Sequence, residues 1–222
     1  MGLFTRGALG LLAAAAFALA LLLSAVLVMA FDSGYYASRL QRYGSYGRFD
    51  SAGEADSLIG GMLDFFRGEA GSAPAGFTQN ERSHLADVKA LLDTARLAAI
   101  ALWLCWAGVI LAELARARTL RERVFRAAKA LTGAGAAALA LVALLFLAAL
   151  LFERAFLAFH LSFFPQGNWS FPAESSLIRL FPREFFFGFL VDAVARLALV
   201  GGMVLAAGIA LGRVRFREIP AE

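Results

Sequence analysis

The sequence is poor in the residues that most often carry enzyme chemistry. Its 222 residues include one cysteine and two histidines, and only 17% are charged. A single cysteine excludes an intramolecular disulfide. Cys105 also lies inside an apolar run, where a thiol usually acts as a small buried hydrophobe, so we assign it no role.

Several catalytic motifs are missing as well. The sequence contains no HExxH pair, no Walker loop, no G-x-S-x-G elbow and no cysteine cluster. With two histidines, a zinc site would need carboxylate ligands to be complete, so a metal centre is the weaker hypothesis. The apolar segments show no inverted repeat with broken helices, and a secondary transporter is therefore poorly supported.

Apolar residues, in contrast, are abundant. Hydrophobic residues make up 60% of the chain and include uncharged runs of more than 20 residues, which is typical of an integral membrane protein. The net charge is +4, but the basic residues concentrate beside the apolar runs, as membrane orientation requires. Nucleic-acid binding is therefore not supported.

Four apolar runs predict an all-α membrane protein, a four-transmembrane-helix bundle with a small extracytoplasmic helical domain between helices 1 and 2. The first run, Gly7 to Phe31, is uncharged for 25 residues, which at about 1.5 Å per residue crosses a hydrocarbon core of about 30 Å. It is too long for the apolar part of a signal peptide and ends without a clean A-x-A site, so we expect a retained anchor.

Basic clusters orient the spans. They follow the second and the fourth apolar runs and consist of Arg116, Arg118, Arg121, Arg123, Arg126 and Lys129, then Arg213, Arg215 and Arg217. Short segments this rich in Lys and Arg stay in the cytoplasm, so both termini are expected inside. The predicted segments are helix 1 at 1–31, an outer domain at 32–95, helix 2 at 96–115, a basic loop at 116–129, helix 3 at 130–152, an outer aromatic loop at 153–184, helix 4 at 185–212 and a cytoplasmic tail at 213–222.

The outer domain contains sequence motifs that predict the ends of helices. Ser51 to Glu54 and Thr78 to Glu81 fit capping boxes. After the first box, apolar residues share one broad face until Gly68 ends the helix, which is expected to lie on the bilayer or to cover the mouth of the bundle. The second box begins a helix that runs past His84 and can continue into the second span.

The two histidines are predicted to share one face of the membrane. The second and third spans form a hairpin whose closed end is the basic cytoplasmic loop. Residues just before the second span and just after the third therefore lie at the outer interface. His84 and His160 are such residues, although 76 positions separate them in sequence.

Each histidine has a functional and a structural interpretation. Glu81 and Asp87 lie three residues either side of His84, where a carboxylate can orient an imidazole that acts as a base. A solvated surface helix fits this spacing equally well. His160 lies among phenylalanines, where packing alone would favour leucine, so function is favoured over a loop anchor.

Other residues are candidate contacts for a lipid. Asp192 and Arg196 have i,i+4 spacing near the outer end of the fourth span, which predicts a structural ion pair or a headgroup site. Trp169 and the segment Leu177–Pro182 are candidates to line a lipid cleft, although an aromatic girdle also explains Trp169.

Two blocks around the histidines resemble one bacterial membrane family. They are Asn80–Val88 and Phe159-His160-x-x-Phe163-Phe164, with Asn168-Trp169, Leu177-Ile178 and Pro182-x-x-Phe185-Phe186 further along. The sequence is similar here to the lipoprotein intramolecular transacylases, and the order of spans agrees over nearly the whole chain. The polar residues around Glu81 and Arg82 depart from the family pattern, so the pattern says least about Glu81.

The resemblance implies a multi-pass acyltransferase of the bacterial cell membrane. Such an enzyme moves the sn-2 acyl chain of a diacylglyceryl-modified lipoprotein to the amino group of its N-terminal cysteine and leaves a lyso form. It implies catalysis by His84 and His160, with Glu81 and Asp87 in support, on the extracytoplasmic side. Membrane lipid is the other expected partner, and the reaction requires no cofactor.

This chemistry is compatible with the residues present. An α-amino group with a pKa of about 7.7 to 8.0 is mostly protonated at neutral pH and needs a base such as imidazole before it attacks an ester. The oxyanion needs a donor, and a protonated histidine, Arg179 and the loop amides around Gly167 and Asn168 are the alternatives. The candidate substrate-binding residues are Trp169, Asn168, Arg179, Arg196 and Asp192.

Two other classes of protein stay open. One is a non-enzymatic accessory or sensor protein whose outer domain binds a partner and whose histidines report pH. The other is a metal-dependent intramembrane hydrolase. Migration of an acyl chain to a lipoprotein N-terminus without a change of mass would distinguish an acyltransferase from both.

Overall fold

The computed structural model describes residues 3–214, which form eight α-helices and no strand. The helices are α1 (Leu3–Ala30), α2 (Ser33–Arg42), α3 (Ala52–Arg67), α4 (Gln79–Ala115), α5 (Leu120–Leu150), α6 (Phe152–Phe163), α7 (Ser176–Leu180) and α8 (Arg183–Gly212). The part of the predicted tail that holds Arg215 and Arg217 lies outside the described residues.

Within residues 3–214, four helices are long and apolar enough to cross a membrane. They are α1, from Gly7 onward, α4, α5 and α8. The prediction of an all-α membrane protein with four spans is confirmed. Helix α4 has 37 residues and is about 55 Å long at 1.5 Å per residue, well beyond a hydrocarbon core of about 30 Å. One continuous helix therefore carries both His84 and the second span.

The chain divides into two compact units, and the first is built from apolar helix segments. It contains the described residues up to Ser24, the segment Ala98–Leu145 and those from Val194 onward. Its core combines small and large side chains from α1, α5 and α8, namely Phe17, Ala18, Ala134, Ala138 and Leu197. Small residues let these helices approach closely: a Cβ at Gly135 would lie 2.4 Å from the backbone nitrogen of Leu205, so only glycine fits there.

The second unit contains Ala25–Leu97 and Phe146–Ala193. The Oγ of Ser51 accepts a hydrogen bond from the backbone N–H of Glu54 and caps α3, which ends at Gly68 in the left-handed conformation with φ 82°. The apolar face that the sequence predicts between these ends is buried, with Leu58, Ile59, Met62, Leu63, Phe65 and Phe66. The Oγ of Ser45, in the segment that follows α2, donates to the carbonyl of Leu180 at the end of α7 at 2.8 Å.

Helices extend further than the sequence analysis expected in two connections. The segment 116–129, expected as a loop, is helical from Leu120. Thr119 and Glu122 start this helix, because the Oγ1 of Thr119 accepts from the N–H of Glu122 at 3.1 Å. Arginine and lysine are good helix formers, so a basic composition marks orientation without preventing helix formation. The segment 153–184, also expected as a loop, contains most of α6 and all of α7.

Candidate functional site

Glu81 is a buried carboxylate at the start of α4. Its side chain is almost fully enclosed, with the residue 1% exposed. One oxygen accepts from the N–H of Thr78 at 2.7 Å, and the other accepts from the N–H of Leu177 at 2.8 Å. The N–H of Glu81 itself donates to Thr78 Oγ1 at 3.3 Å, which completes the predicted capping box. Glu81 thus joins the first turn of α4 to α7, and its hydrogen bonds run to these backbone groups rather than to His84.

The two histidines expected at one interface lie side by side within the second unit. The centroids of the His84 and His160 rings are 6.5 Å apart, with 23° between the ring planes. Phe164 packs against both, at centroid distances of 4.7 Å and 5.7 Å. The separation is short enough for one small group to touch both imidazoles.

The tautomer of His160 follows from its hydrogen bond. His160 Nδ1 lies 2.8 Å from the carbonyl oxygen of Phe156, one turn earlier in α6. A carbonyl oxygen only accepts, so Nδ1 carries the hydrogen, and in the neutral ring Nε2 is left with the lone pair. Burial lowers the pKa of His160, and the hydrogen bond to Phe156 partly opposes this effect. At neutral pH the ring is therefore a base with a free Nε2.

Asp87 anchors the loop that follows α6. One carboxylate oxygen of Asp87 accepts from the side-chain amide of Gln166 at 2.8 Å and from Asn168 Nδ2 at 2.6 Å. Asn168 Nδ2 also lies 3.3 Å from Ser83 Oγ. A carboxylate cannot donate, so these contacts also determine the orientation of the Asn168 amide, with Oδ1 facing away from Asp87. Asp87 holds Asn168, and its hydrogen bonds do not include His84 among the residues described, although its charge acts on the His84 ring.

A cavity of about 160 Å³ opens between these elements. Its volume corresponds to roughly five water molecules. Its walls are mainly aliphatic and aromatic, and the side chains with polar atoms are Tyr36, His84, His160 and Trp169. Tyr36 uses its hydroxyl to donate to the carbonyl of Ala30 at 3.2 Å. The two imidazoles and the Trp169 indole are therefore the groups placed to meet a polar ligand.

Three polar atoms at this site are buried without a partner among residues 3–214. They are His84 Nδ1, Asn168 Oδ1 and Trp169 Nε1, although the Asn168 side chain lies close enough to the His84 ring to act on it as a hydrogen-bonding group. Leaving a polar group buried and unsatisfied costs about 1 to 3 kcal/mol. Because the Asn168 side chain acts on the His84 ring, Trp169 Nε1 is the group whose buried position calls for an acceptor on a ligand.

The other sequence-predicted residues lie apart from the cavity. Arg179 stacks its guanidinium over the Phe49 ring at 4.0 Å and donates from Nε to the carbonyl of Arg48 at 2.6 Å. Asp192 forms an ion pair with Arg39 and accepts from the hydroxyl of Tyr35 at 2.7 Å. Arg196 belongs to the first unit, whereas the cavity is built from the second.

Sequence reasoning gave no site role to three residues of α2 and α3. Tyr36, Met62 and Phe66 line the cavity together with the histidines. The available signal was the apolar face of α3, which was expected to cover the mouth of the bundle. Helical spacing identified that face, but it does not say which of its residues meet the histidines.

These features define a multi-pass, all-helical membrane protein with two imidazoles, one half-buried and one buried, at an apolar cavity. The profile of the family described as lipoprotein intramolecular transacylase Lit matches residues 11–186. The chain belongs to this family and is accordingly an acyltransferase.

Solved structures agree with the fold. The in meso structure of the membrane integral lipoprotein intramolecular transacylase Lit from Bacillus cereus superposes with a TM-score of 0.80 and 16% identity, covering 94% of this chain and 96% of that chain. A histidine-to-arginine variant of the Bacillus cereus protein gives a TM-score of 0.75 at 16% identity, over 94% of each chain. A histidine-to-alanine variant gives 0.75 at 15% identity, over 95% and 97%. A search of curated protein sequences found no significant match.

Proposed function

We propose that the enzyme moves the sn-2 acyl chain of a diacylglyceryl-modified lipoprotein to the α-amino group of its N-terminal cysteine. The product is an N-acylated lyso form, made at the extracytoplasmic side of the bacterial cell membrane. Family membership supports the class of reaction and the lipoprotein substrate. The observation that carries the mechanism is the pair of imidazoles, 6.5 Å apart, at one apolar cavity.

His160 is the base in this proposal. Its Nδ1–H is held by the Phe156 carbonyl, so Nε2 is available to accept a proton. The lowered pKa keeps the ring unprotonated at neutral pH. The α-amino group, with a pKa of about 7.7 to 8.0, is then deprotonated as it attacks the ester.

All the bonds that form and break during the transfer belong to one substrate molecule. The amine nitrogen bonds to the ester carbonyl carbon, and the carbonyl electron pair moves to oxygen. The tetrahedral intermediate collapses, re-forms the carbonyl and expels the sn-2 glyceryl oxygen. His160 takes the proton from nitrogen and passes it to the leaving oxygen, so that one proton has moved from nitrogen to oxygen and His160 is neutral again. His84 lies beside it and hydrogen-bonds the substrate during the transfer.

Proximity supplies much of the acceleration. Donor and acceptor belong to one molecule, and holding them in a reactive geometry can contribute about 7 to 11 kcal/mol. The cavity of about 160 Å³ has room for the ester and the amine but not for two whole acyl chains. The chains must therefore extend out of the cavity, where membrane lipid can solvate them.

Mass spectrometry of a coexpressed diacylglyceryl lipoprotein tests the proposal. The expected result is an unchanged total mass with one acyl chain on nitrogen and one left on glycerol. Loss of the acyl mass would instead identify a hydrolase, and chelators should abolish that loss if a metal is required. No acyl migration and no loss, with the protein correctly inserted, would favour the sensor class. The Ser162→Ala variant is the control, because Ser162 is an exposed neighbour of His160 whose hydroxyl bonds only within its own helix, to the carbonyl of Ala158.

A further inference from the structure

The indole N–H of Trp169 is a buried donor with no acceptor among the described residues. The ring lines the cavity, and its centroid lies 4.9 Å from that of His160. Trp103 shows the usual arrangement, since its indole donates to Ser24 Oγ at 3.0 Å. A tryptophan N–H that is buried beside an apolar cavity without a partner is therefore left for a ligand atom that accepts.

Several other donors near the loop are already engaged. The N–H of Gly167 donates to the carbonyl of Phe164 at 3.1 Å. Asn168 gives its side-chain amide to Asp87, and Arg179 gives its Nε to the carbonyl of Arg48. In the proposed reaction His160 is occupied by proton transfer. Trp169 Nε1 is a buried donor of the cavity wall that has no partner to give up before it meets the carbonyl oxygen.

The loop holds Trp169 in place before any ligand binds. Gly167 has a left-handed backbone, with φ 80°, that closes a turn after α6. The next residue, Asn168, is bound to Asp87 at 2.6 Å, which ties the loop to α4. A donor positioned in advance needs little reorganisation when charge develops on the substrate, which is what an oxyanion-stabilising group requires.

We propose that the Trp169 indole N–H is a catalytic residue that donates a hydrogen bond to the oxyanion of the tetrahedral intermediate. This assignment rests on the proposed acyl transfer. The amine nitrogen attacks the ester carbon, the carbonyl pair moves onto oxygen, and that oxygen accepts from Nε1. When the carbonyl re-forms, the charge leaves the oxygen and the hydrogen bond weakens. Trp169 gives up no proton and forms no bond to the substrate.

The experiment removes the N–H while keeping the ring. Trp169→Phe is the simple variant, and replacement of Trp169 by 3-benzothienylalanine, where sulfur stands in place of N–H, preserves size and shape. Trp106→Phe is the control, because Trp106 belongs to the first unit and does not line the cavity. The measurements are kcat and KM with a diacylglyceryl lipopeptide, and the affinity for a phosphonate analogue whose tetrahedral phosphoryl oxygens replace the ester carbonyl.

Loss of one oxyanion donor lowers kcat by about 10²- to 10³-fold. We expect that fall in both Trp169 variants, with KM changed less than about threefold and analogue affinity reduced in parallel with kcat. Wild-type kcat in the benzothienyl variant would overturn the assignment, and so would equal losses of substrate and analogue affinity, which indicate a packing role. If wild-type enzyme moves no acyl chain, the proposed function fails, while analogue affinity still reports whether the indole N–H holds an oxyanion.

Discussion

The side-chain amide of Asn168 donates to the carboxylate of Asp87 at 2.6 Å, across 81 residues of sequence. This bond joins α4, which carries His84, to the loop that carries Trp169 and follows the helix of His160. A hydrogen bond to an ionised acceptor is shorter and stronger than a neutral one. The relative position of the three ring side chains therefore depends on a polar pair whose members do not themselves line the cavity.

Asp87 and Asn168 should act as one unit. Asp87→Ala and Asn168→Ala each release the loop, so each variant should lower kcat by about tenfold or more while the double variant loses little further. The coupling measured by the double-mutant cycle on transfer rates should fall in the range of about 0.5 to 3 kcal/mol. Fully additive losses would contradict a shared role. Gln166→Ala should have a smaller effect, because Asn168 still holds Asp87.

Glu81 should matter for stability more than for chemistry. Each of its carboxylate oxygens accepts from a different backbone N–H, whereas a glutamine amide offers one acceptor oxygen and one NH₂ group. Glu81→Gln therefore leaves one buried N–H facing another donor, which costs about 1 to 3 kcal/mol or more. Thermal unfolding in detergent should show a clear decrease for this variant. An unfolding midpoint equal to wild type, together with lost activity, would point instead to a direct role at His84.

Replacing either histidine by alanine should separate activity from stability. Loss of a positioned acid or base lowers the rate by about 10²- to 10⁴-fold. Neither imidazole supports the core of the first unit, so membrane insertion and unfolding should change little. Transfer by the purified variants is the measurement, with unfolding followed in parallel. Near-normal transfer in His84→Ala and His160→Ala would remove imidazole catalysis from the mechanism.

The pH dependence should report the buried state of His160. Burial lowers the pKa of His160 below its ordinary value of about 6.5. The base is active while unprotonated, so the contribution of His160 to the rate should hold above about pH 6.5 and fall as the pH drops through the folded pKa, while deprotonation of the amine raises the rate further between about pH 7 and 8. By linkage, the stability contributed by neutral His160 is also present above about pH 6.5 and is lost over the same acid range.

A substrate whose α-amino group is replaced by hydroxyl isolates this titration. The pH–rate profile then lacks the second rise, between about pH 7 and 8, that deprotonation of the amine would add. The half-maximal rate should lie below about pH 6.5. A midpoint at or above that value would show that the His160 environment is not the one that governs catalysis.

The orientation of the spans can be tested by cysteine labelling in a Cys105→Ser background. Leu120→Cys places a thiol in the basic connection, which is expected in the cytoplasm. Ser72→Cys is the matched control in the segment between α3 and α4, expected on the other side. An impermeant reagent added from outside should label position 72 and leave position 120 unlabelled until the membrane is opened. The reverse pattern would place the histidine site on the cytoplasmic side.

Local sequence patterns predicted the helices of this protein well. Thr78 and Glu81 predicted the start of α4, and Gly68 predicted the end of α3, because helix caps depend on a few neighbouring backbone groups. Apolar length and flanking charge likewise indicated four spans. The start of α5 was missed because the arginines of 116–129 were interpreted for their charge, although Thr119 and Glu122 carry the same capping signal.

The sequence by itself therefore determined the class of the protein, its helices and the two histidines, since hydropathy, capping and residue chemistry are local properties. Tertiary structure decided what each polar group does. Glu81 accepts from Leu177, 96 residues away, and Asp87 holds Asn168, so neither carboxylate pairs directly with His84 as its spacing suggested. The His160 tautomer depends on the direction of one carbonyl, and the free indole of Trp169 depends on where its loop closes. Such relationships arise from contacts between distant segments, which no local pattern specifies.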